Sequence, residues 1–83
     1  MNTEKQWYVY ILQCADGSLY TGITNDPDRR LEQHNAGTAS KCTRTRRPVK
    51  MVYREKADNK SAALKREYAI KQLPRAEKTA LIK

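Results

Sequence analysis

The sequence predicts a small α/β (α+β) domain in which a three-stranded sheet is flanked by helices, in the order β-β-α-β-α-α. Three short segments are rich in β-branched and aromatic residues or alternate apolar with polar side chains, which is typical of strands. The longer segments between and after them carry helix-capping residues at their ends. The chain has 83 residues, so residues 1–83 are predicted to form a single domain.

The first two strands are predicted to form a β-hairpin. Residues 7–14 are mostly aromatic and β-branched, and residues 19–23 return after a turn. The dipeptide Asp16-Gly17 is a strong signal for such a turn. Gly22 lies inside the second strand, where a missing side chain indicates close approach of another chain or a ligand.

The first helix is bounded by capping signals on both sides. Asp26 can cap its N-terminus, Pro27 suits the first helical position, and Gly37 predicts its end. Its apolar stripe is thin, with Leu31 and Ala36 as the main core candidates. A helix this poor in apolar residues cannot dominate the core, so its polar side chains require another explanation.

A third strand and two further helices complete the predicted fold. Residues 49–54 alternate apolar and polar side chains, which predicts a strand. Three residues can begin the next helix: Asp58, Asn59 or Ser61. This helix is predicted to run to about Leu73, because Pro74 breaks it. Its buried side is predicted to consist of Ala63, Leu64, Tyr68 and Ile70. A short last helix is predicted from Arg75 to Ile82.

The charge balance predicts a polyanionic partner. Seventeen Lys and Arg residues against nine Asp and Glu residues leave a net charge of +8. Nucleic acid is the first candidate, an anionic membrane surface is the second, and basicity without a functional role is the third. The sequence has no apolar run of transmembrane length and no signal-peptide pattern, so no membrane association and a cytoplasmic location are predicted.

The two cysteines, Cys14 and Cys42, are predicted to be free thiols rather than a disulfide, because the cytoplasm is reducing. Neither belongs to a CxxC pair or lies beside paired histidines, so their spacing does not favour a zinc site. A catalytic or metal-binding role for either cysteine is therefore not expected.

Five polar residues in a fixed order carry the main functional signal. Tyr10 ends a Tyr-Val-Tyr segment, and Tyr20 begins a Tyr-Thr-Gly segment ten residues later. Arg30 follows after another ten residues, His34 comes one helical turn after it, and Glu67 lies on a later helix. This pattern resembles the two motifs and the catalytic core of the GIY-YIG endonuclease superfamily, in particular its small stand-alone bacterial YhbQ-like branch. The resemblance covers nearly the whole chain and implies a GIY-YIG-like fold.

The chain departs from the family pattern in a few places. Tyr8 replaces the Gly of the first motif and Thr21 replaces the Ile of the second, and both positions vary among members. Ile23 stands where some members carry a Lys, and a late Asn seen in certain members has no match. The last two departures leave the identity of the proton-handling group open.

The resemblance implies a divalent-metal-dependent endonuclease that hydrolyses phosphodiester bonds, and the side chains suit that chemistry. Glu67 offers the hard oxygen ligand that Mg²⁺ or Mn²⁺ prefers. Arg30 can bind a phosphate oxygen with its planar guanidinium. His34, on the same helix face, can hold water or accept a proton. The resemblance makes Tyr10 or Tyr20 the general base, and the sequence leaves the choice between them open.

The two tyrosines can meet in one site only if their side chains share a face of the hairpin. A two-residue turn at Asp16-Gly17 would pair even-numbered with odd-numbered residues, which puts the tyrosines on opposite faces. A three-residue loop or a Gly bulge restores the match. We therefore expect such a turn. The opposite face is then expected to carry Val9, Ile11, Leu19, Thr21 and Ile23.

Residues 41–54 form a basic segment without an acidic side chain. Its six cations are predicted to bind nucleic-acid phosphates beside the site: Lys41, Arg44, Arg46, Arg47, Lys50 and Arg54. A solvated, flexible loop is the alternative. No helix presents a run of base-reading side chains, so structure-selective or weakly sequence-selective cleavage is expected, with DNA favoured over RNA. So small a recognition surface also predicts a partner protein for targeting.

Each site residue has an ordinary structural alternative. Tyr10 and Tyr20 are common strand residues, Arg30 and His34 suit a solvated helix face, and Glu67 can pair with the Lys one turn later. Two rival protein classes stand beside the nuclease, namely a nucleic-acid-binding module without catalysis and a basic accessory protein that binds another protein. The joint presence of all five residues favours the nuclease.

Overall fold

The structure is a computed structural model that describes residues 6–38 and 47–82. Within those residues the elements are β1 (Trp7–Gln13), β2 (Leu19–Thr24), α1 (Pro27–Ala36), β3 (Lys50–Ala57), α2 (Lys60–Lys71) and α3 (Arg75–Ile82). The three strands of this part of the chain form one antiparallel sheet of order β2-β1-β3. The predicted α/β fold class and the predicted element order are confirmed.

A three-residue loop closes the hairpin of β1 and β2. The amide of Cys14 donates to the carbonyl of Ser18 over 2.8 Å. Gly17 lies in the loop with a φ of 87°, a left-handed conformation that favours glycine. Even-numbered residues consequently stand opposite even-numbered residues along the ladder. Tyr10 and Tyr20 therefore lie on the same face of the sheet, as predicted.

The sheet separates two apolar layers. On one face, Val9 and Ile11 of β1 pack against Ala63 and Ile70 of α2, and all four are fully buried. The odd-numbered hairpin residues lie on this face, as predicted. On the other face, α1 covers a second cluster that contains Tyr10, Leu12, Cys14, Val49, Tyr20, Leu31 and Met51. The predicted site residues of the hairpin thus face α1 rather than α2.

Both predicted ends of α1 are confirmed, because Asp26 caps its N-terminus and Gly37 ends it with a φ of 82°. Leu31 packs in the core, as predicted. The prediction that Ala36 is a core residue was wrong, since its side chain is exposed. Position 36 lies two residues after His34 and so on the opposite side of the helix. His34 is the buried residue of α1.

The second helix begins after Asn59, whose side chain caps it. Its predicted buried side was half wrong: Ala63 and Ile70 are fully buried, but Leu64 is 46% exposed and Tyr68 is 69% exposed. Only a narrow stripe of the helix faces the small sheet, along the line from Ala63 to Ile70. Position 64 lies about 100° round the helix from that line and position 68 about 150°, so both reach solvent.

The third strand runs to Ala57, beyond the end predicted at residue 54. The additional residues are mostly charged, so apolar alternation did not reveal them. Glu55 accepts a hydrogen bond from the hydroxyl of Tyr53 and another, of 2.9 Å, from Nε of Arg66 on α2. The bond from Arg66 links the charged end of β3 to α2.

A β-bulge at Val52 changes which way the side chains of β3 face. The pairing with β1 skips this residue, and alternation is reversed across such a bulge. Arg54 is opposite Tyr10 and shares its face. Lys50 is opposite Gln13 and lies on the other face. Two cations four residues apart therefore point in opposite directions.

Cys14 is buried and free, in agreement with the prediction, whereas Cys42 lies outside the described residues. The helices of residues 6–38 and 47–82 include none that is long and apolar enough to span a membrane.

Candidate active site

Tyr10, Tyr20 and His34 form an aromatic cluster between the sheet and α1. The hydroxyl of Tyr10 and Nε2 of His34 are 3.1 Å apart and hydrogen-bonded. The ring centres of Tyr20 and His34 are 5.1 Å apart in an edge-to-face arrangement, and those of the two tyrosines are 6.4 Å apart. The hairpin register brings the tyrosines together, and α1 brings the imidazole over them. Three of the five predicted residues are thus in one place.

The three rings differ in their access to solvent. Tyr10 and His34 are 2% and 1% exposed, whereas Tyr20 is only partly buried. The hydrogen bond between Tyr10 and His34 gives each polar group a partner, which buried polar groups need. Of the two phenols, that of Tyr20 is the more accessible to water.

Burial and neighbouring charges hold His34 and Tyr10 in their neutral forms. Burial lowers the pKa of His34 below its ordinary value near 6.5, and the positive charge of Arg30 lowers it further. Burial raises the pKa of Tyr10 well above its ordinary value, and the neighbouring Tyr20 adds to this increase. Near neutral pH the imidazole is therefore unprotonated and the Tyr10 phenol keeps its proton.

Arg30 lies one turn before His34 on α1, and its side chain is partly buried. Its charge acts on both His34 and Tyr10, since it lowers the pKa of each. It also lines a polar cavity of about 160 Å³. The other residues of this cavity are Thr24, Asn25, Asp26, Arg29 and Gln33. A planar guanidinium beside a small polar cavity is suited to hold one phosphate group.

Glu67, on α2, affects the electrostatics of the aromatic cluster. Its negative charge contributes to the raised pKa of Tyr10, so its carboxylate lies within electrostatic range of that phenol. The side chain is 20% exposed, and a carboxylate oxygen lies 3.3 Å from Nζ of Lys71 one turn later. An exposed pair at this spacing contributes only about 0.3–0.5 kcal/mol. The structural alternative predicted for Glu67, an ion pair with the Lys one turn later, is therefore present.

Of the six basic residues predicted to bind phosphate, the structure describes three, and these lie in different places. Three of them, Lys41, Arg44 and Arg46, lie outside the described residues. Arg47 donates to the carbonyl of Asn35 near the end of α1 over 3.1 Å. Arg54 shares the face of Tyr10, and Lys50 lies on the opposite face. Of the two predicted cations on β3, Arg54 is the one on the tyrosine face of the sheet.

Asn35 has a role that the sequence did not reveal. Its side-chain amide donates to the carbonyl of Val49 over 3.1 Å and accepts from the amide of Val49 over 2.8 Å. This pair of bonds fixes the last turn of α1, next to His34, to the segment that enters β3. An asparagine near a helix end is common and carried no separate signal.

Gly22 provides the space that the Tyr10 ring occupies. A Cβ atom at position 22 would lie 2.6 Å from the hydroxyl oxygen of Tyr10 and 2.8 Å from its Cζ. Real contacts are essentially never so short, so the ring crosses bare backbone on the neighbouring strand. The close approach predicted for Gly22 is confirmed, with the ring of Tyr10 as its neighbour.

Gly22→Ala is expected to displace the Tyr10 phenol and break its hydrogen bond to His34. A shift of about 1 Å in a reacting group can lower a rate about 100-fold, and overpacking a core costs about 1–3 kcal/mol. Single-turnover cleavage rates and thermal unfolding measure these two effects. Gly17→Ala is the matched control, because a Cβ there meets no atom within 4 Å. Its left-handed φ should cost stability alone, and wild-type cleavage by Gly22→Ala would contradict the argument.

The fold and this cluster define a small α/β domain with buried polar side chains between its sheet and first helix, and comparison with known families shows which family it belongs to. The sequence matches the model of the GIY-YIG catalytic domain over residues 6–80. The chain belongs to this family, which is part of the GIY-YIG endonuclease superfamily. The recognition made from the two tyrosine motifs is thereby confirmed.

Individual relatives agree over nearly the whole chain. A UPF0213 protein of Desulfotalea psychrophila is 55% identical over 78 residues, which are 93% of this chain and 71% of that protein. A UPF0213 protein of Staphylococcus aureus strain Mu3 is 54% identical over 76 residues, which are 92% of this chain and 93% of that protein.

Two solution NMR structures are similar in fold. The protein EF2693 from E. faecalis has a TM-score of 0.62 at 49% identity, with 94% of this chain and 83% of that one covered. The UPF0213 protein BH0048 from Bacillus halodurans has a TM-score of 0.59 at 44% identity, with 93% and 82% covered. At such identities the shared fold extends to the whole described domain.

Proposed function

We propose that this protein is an endonuclease that hydrolyses phosphodiester bonds of nucleic acid with the help of one divalent metal ion. The observation that carries the proposal is the hydrogen-bonded pair of Tyr10 and His34 with Tyr20 beside it. The charges of Arg30 and Glu67 both affect the pKa of the Tyr10 phenol: Arg30 lowers it and Glu67 raises it. The buried phenol of Tyr10 and the buried imidazole of His34 both have shifted pKa values, and a second, partly exposed phenol lies beside them, which favours a catalytic role.

The two tyrosines are assigned different tasks. Tyr10 is buried, bonded to His34 and has a raised pKa, so it is a poor source of phenolate. It orients the imidazole of His34. Tyr20 is partly exposed and lies edge-on to the same imidazole. Tyr20 is therefore the phenol that meets the attacking water, and neutral His34 is positioned to take up a proton.

Arg30 is assigned to the phosphate. Its guanidinium lines a polar cavity at the N-terminal end of α1. Hydrolysis adds negative charge to the non-bridging oxygens in the transition state, and a preorganised guanidinium stabilises that charge. The same positive charge favours the neutral form of His34, which keeps the imidazole ready to accept a proton.

Glu67 has the chemistry to hold a divalent cation. It offers a hard carboxylate oxygen at a partly exposed position, and its charge acts on Tyr10. Mg²⁺ or Mn²⁺ keeps several waters and needs only one or two protein carboxylates beside substrate oxygens. Such an ion, when bound, supplies charge neutralisation at the phosphate and a more acidic water.

DNA is the proposed substrate, with cleavage governed by structure more than by sequence. The net charge of +8 favours a nucleic-acid partner. None of the three helices in the described residues presents a row of base-reading side chains. Contacts between Lys or Arg side chains and the phosphate backbone of the DNA then provide most of the affinity and little sequence preference.

The test uses the full chain with single-stranded, duplex and branched DNA and with RNA, each in Mg²⁺, Mn²⁺ or EDTA. The expected result is cleavage of DNA in either metal and none in EDTA. A binding module without catalysis is the second candidate, and the ion pair of Glu67 with Lys71 favours it, because that carboxylate already has a cationic partner. Binding to DNA without cleavage in any metal would establish the second candidate.

The cleavage rate is expected to be constant above about pH 6.5 and to decrease on the acid side. The pKa of His34 lies below its ordinary value, so the imidazole needed for proton uptake becomes charged only in that range. Single-turnover rates across the acid range measure this. A rate that increases as the pH falls would contradict the assignment.

The same shift makes the free energy of unfolding depend on pH. The unfolded chain protonates His34 near pH 6.5 and the folded chain only at lower pH, so the unfolded state binds more protons between the two values. Stability should therefore decrease as the pH falls from about 6.5 towards the folded pKa and level off below it. His34→Gln should remove this part of the pH dependence in denaturant titrations.

A further inference from the structure

Three residues beside the catalytic cluster form a basic and aromatic surface. Tyr8 and Tyr10 are both even-numbered residues of β1 and share one face of the sheet. On β3, Lys56 stands opposite Tyr8 and Arg54 stands opposite Tyr10. We call Tyr8, Arg54 and Lys56 the Tyr8 surface. Both cations are exposed, and Tyr8 is partly exposed.

A cation–π contact fixes the arrangement. The guanidinium carbon of Arg54 lies 5.6 Å from the centre of the Tyr8 ring, a distance at which the ring quadrupole attracts the cation. A groove of about 390 Å³ runs between α1 and β3. Arg54 lines it together with Asp28, Leu31 and Met51, among others. The ring contact thus holds the guanidinium of Arg54, a residue that lines this groove.

We propose that the Tyr8 surface binds the backbone of the nucleic-acid strand beside the scissile phosphate, and that Tyr8 is the positioning residue for Arg54. The proposal rests on the proposed nuclease function. A nucleic-acid strand suits this surface, because two exposed cations lie next to the cluster on a chain of net charge +8. Asp28 lines the groove and repels a polyanion there, so the strand is placed along the exposed cations and not inside the groove.

Tyr8 supplies the ring on which the guanidinium of Arg54 lies. With Tyr8, Arg54 is held on the cluster's face before substrate arrives, so less side-chain freedom is lost on binding.

The chain contains a matched control on the opposite side of the same strand. Nζ of Lys60 lies 5.7 Å from the centre of the Trp7 ring. Trp7 packs against the core layer formed with α2, on the face away from Tyr10. Lys60→Ala removes one positive charge from a similar cation–π contact, at a similar distance along β1, but on the wrong side for the proposed strand.

The experiment measures the affinity of the full-length protein for a fluorescent DNA oligonucleotide by anisotropy, in EDTA, across a range of salt concentrations. Arg54→Ala should weaken binding about ten-fold near 0.1 M salt and reduce the slope of log affinity against log salt by about 0.7–0.9. Tyr8→Leu should weaken binding about two- to five-fold, and Tyr8→Phe should bind like the wild type. Lys60→Ala should leave the slope unchanged. Circular dichroism confirms that each variant is folded.

A double-mutant cycle separates positioning from general destabilisation. Tyr8→Leu should have little further effect in the Arg54→Ala background, because the ring acts through the guanidinium. An equal effect of Tyr8→Leu in both backgrounds would overturn its positioning role. Equal salt slopes for Arg54→Ala and Lys60→Ala would overturn the surface itself. Failure of the wild type to bind any nucleic acid would instead overturn the proposed function, so the two failures are distinguishable.

Discussion

Replacing Glu67 by Gln is expected to abolish metal-dependent cleavage while the fold and the affinity for nucleic acid are retained. The amide keeps the shape of the side chain but loses the charge that holds a divalent cation. Affinity for DNA should stay within about two-fold, because no cation is removed. Cleavage in Mg²⁺ and Mn²⁺, binding in EDTA and thermal unfolding give the three readouts. Undiminished turnover would remove Glu67 from the mechanism.

Two further variants test whether the effect of Glu67→Gln is due to a lost metal ligand. Glu77→Gln makes the same change at an exposed position of α3 and should cleave normally. Lys71→Met removes the cation that lies 3.3 Å from the Glu67 carboxylate. If the carboxylate holds a metal ion, this variant should reach half-maximal cleavage at a lower metal concentration. A structural ion pair would give a small loss of stability and no change in the metal requirement.

Arg30→Ala should lower the rate of the chemical step on the order of 10²–10³-fold and change affinity much less. Removal of one preorganised donor to a charged transition state typically has this effect, and such an interaction changes kcat more than ground-state binding. Arg30→Lys should restore only part of the rate, because the ammonium lacks the planar fork. Single-turnover cleavage at saturating enzyme, set beside measured affinity, separates the two contributions.

Arg29→Ala is the control for charge. It removes the same charge from the adjacent position, where the side chain is exposed. A loss confined to affinity is expected there. The pKa of His34 offers an independent readout, because the charge of Arg30 lowers it. In Arg30→Ala the acid limb of the pH profile should move towards pH 6.5. A wild-type rate for this variant at saturation would reduce Arg30 to a binding residue.

The elements could be predicted because they depend on local chemistry. A cap at Asp26, a left-handed Gly37 and a breaker at Pro74 each act within a few residues, and the structure places α1 and α3 at the bounds that they indicate. The shared face of Tyr10 and Tyr20 was predicted differently. The Asp-Gly signal allows more than one loop length, and the requirement that both tyrosines meet in one site decided between them.

The features that the sequence did not predict depend on tertiary packing. The bulge at Val52 reverses the face of Lys50, and alternation in the sequence does not show it. Leu64 and Tyr68 are apolar or aromatic but face solvent, because the sheet beneath α2 is narrow. The burial of His34 follows from the ring of Tyr10 beneath it, a contact between residues 24 positions apart. The family pattern thus predicted which residues form the candidate site, but it did not predict how they pack against one another.

The burial of Tyr10 and His34 ties the candidate site to the thermal stability of the domain. In many enzymes the reacting groups lie on loops that open before the body of the protein unfolds. Here the Tyr10 ring belongs to an apolar cluster that packs between the sheet and α1. We therefore expect the proposed cleavage activity to be lost on heating together with the fold, and a substitution that loosens this centre to weaken the whole domain.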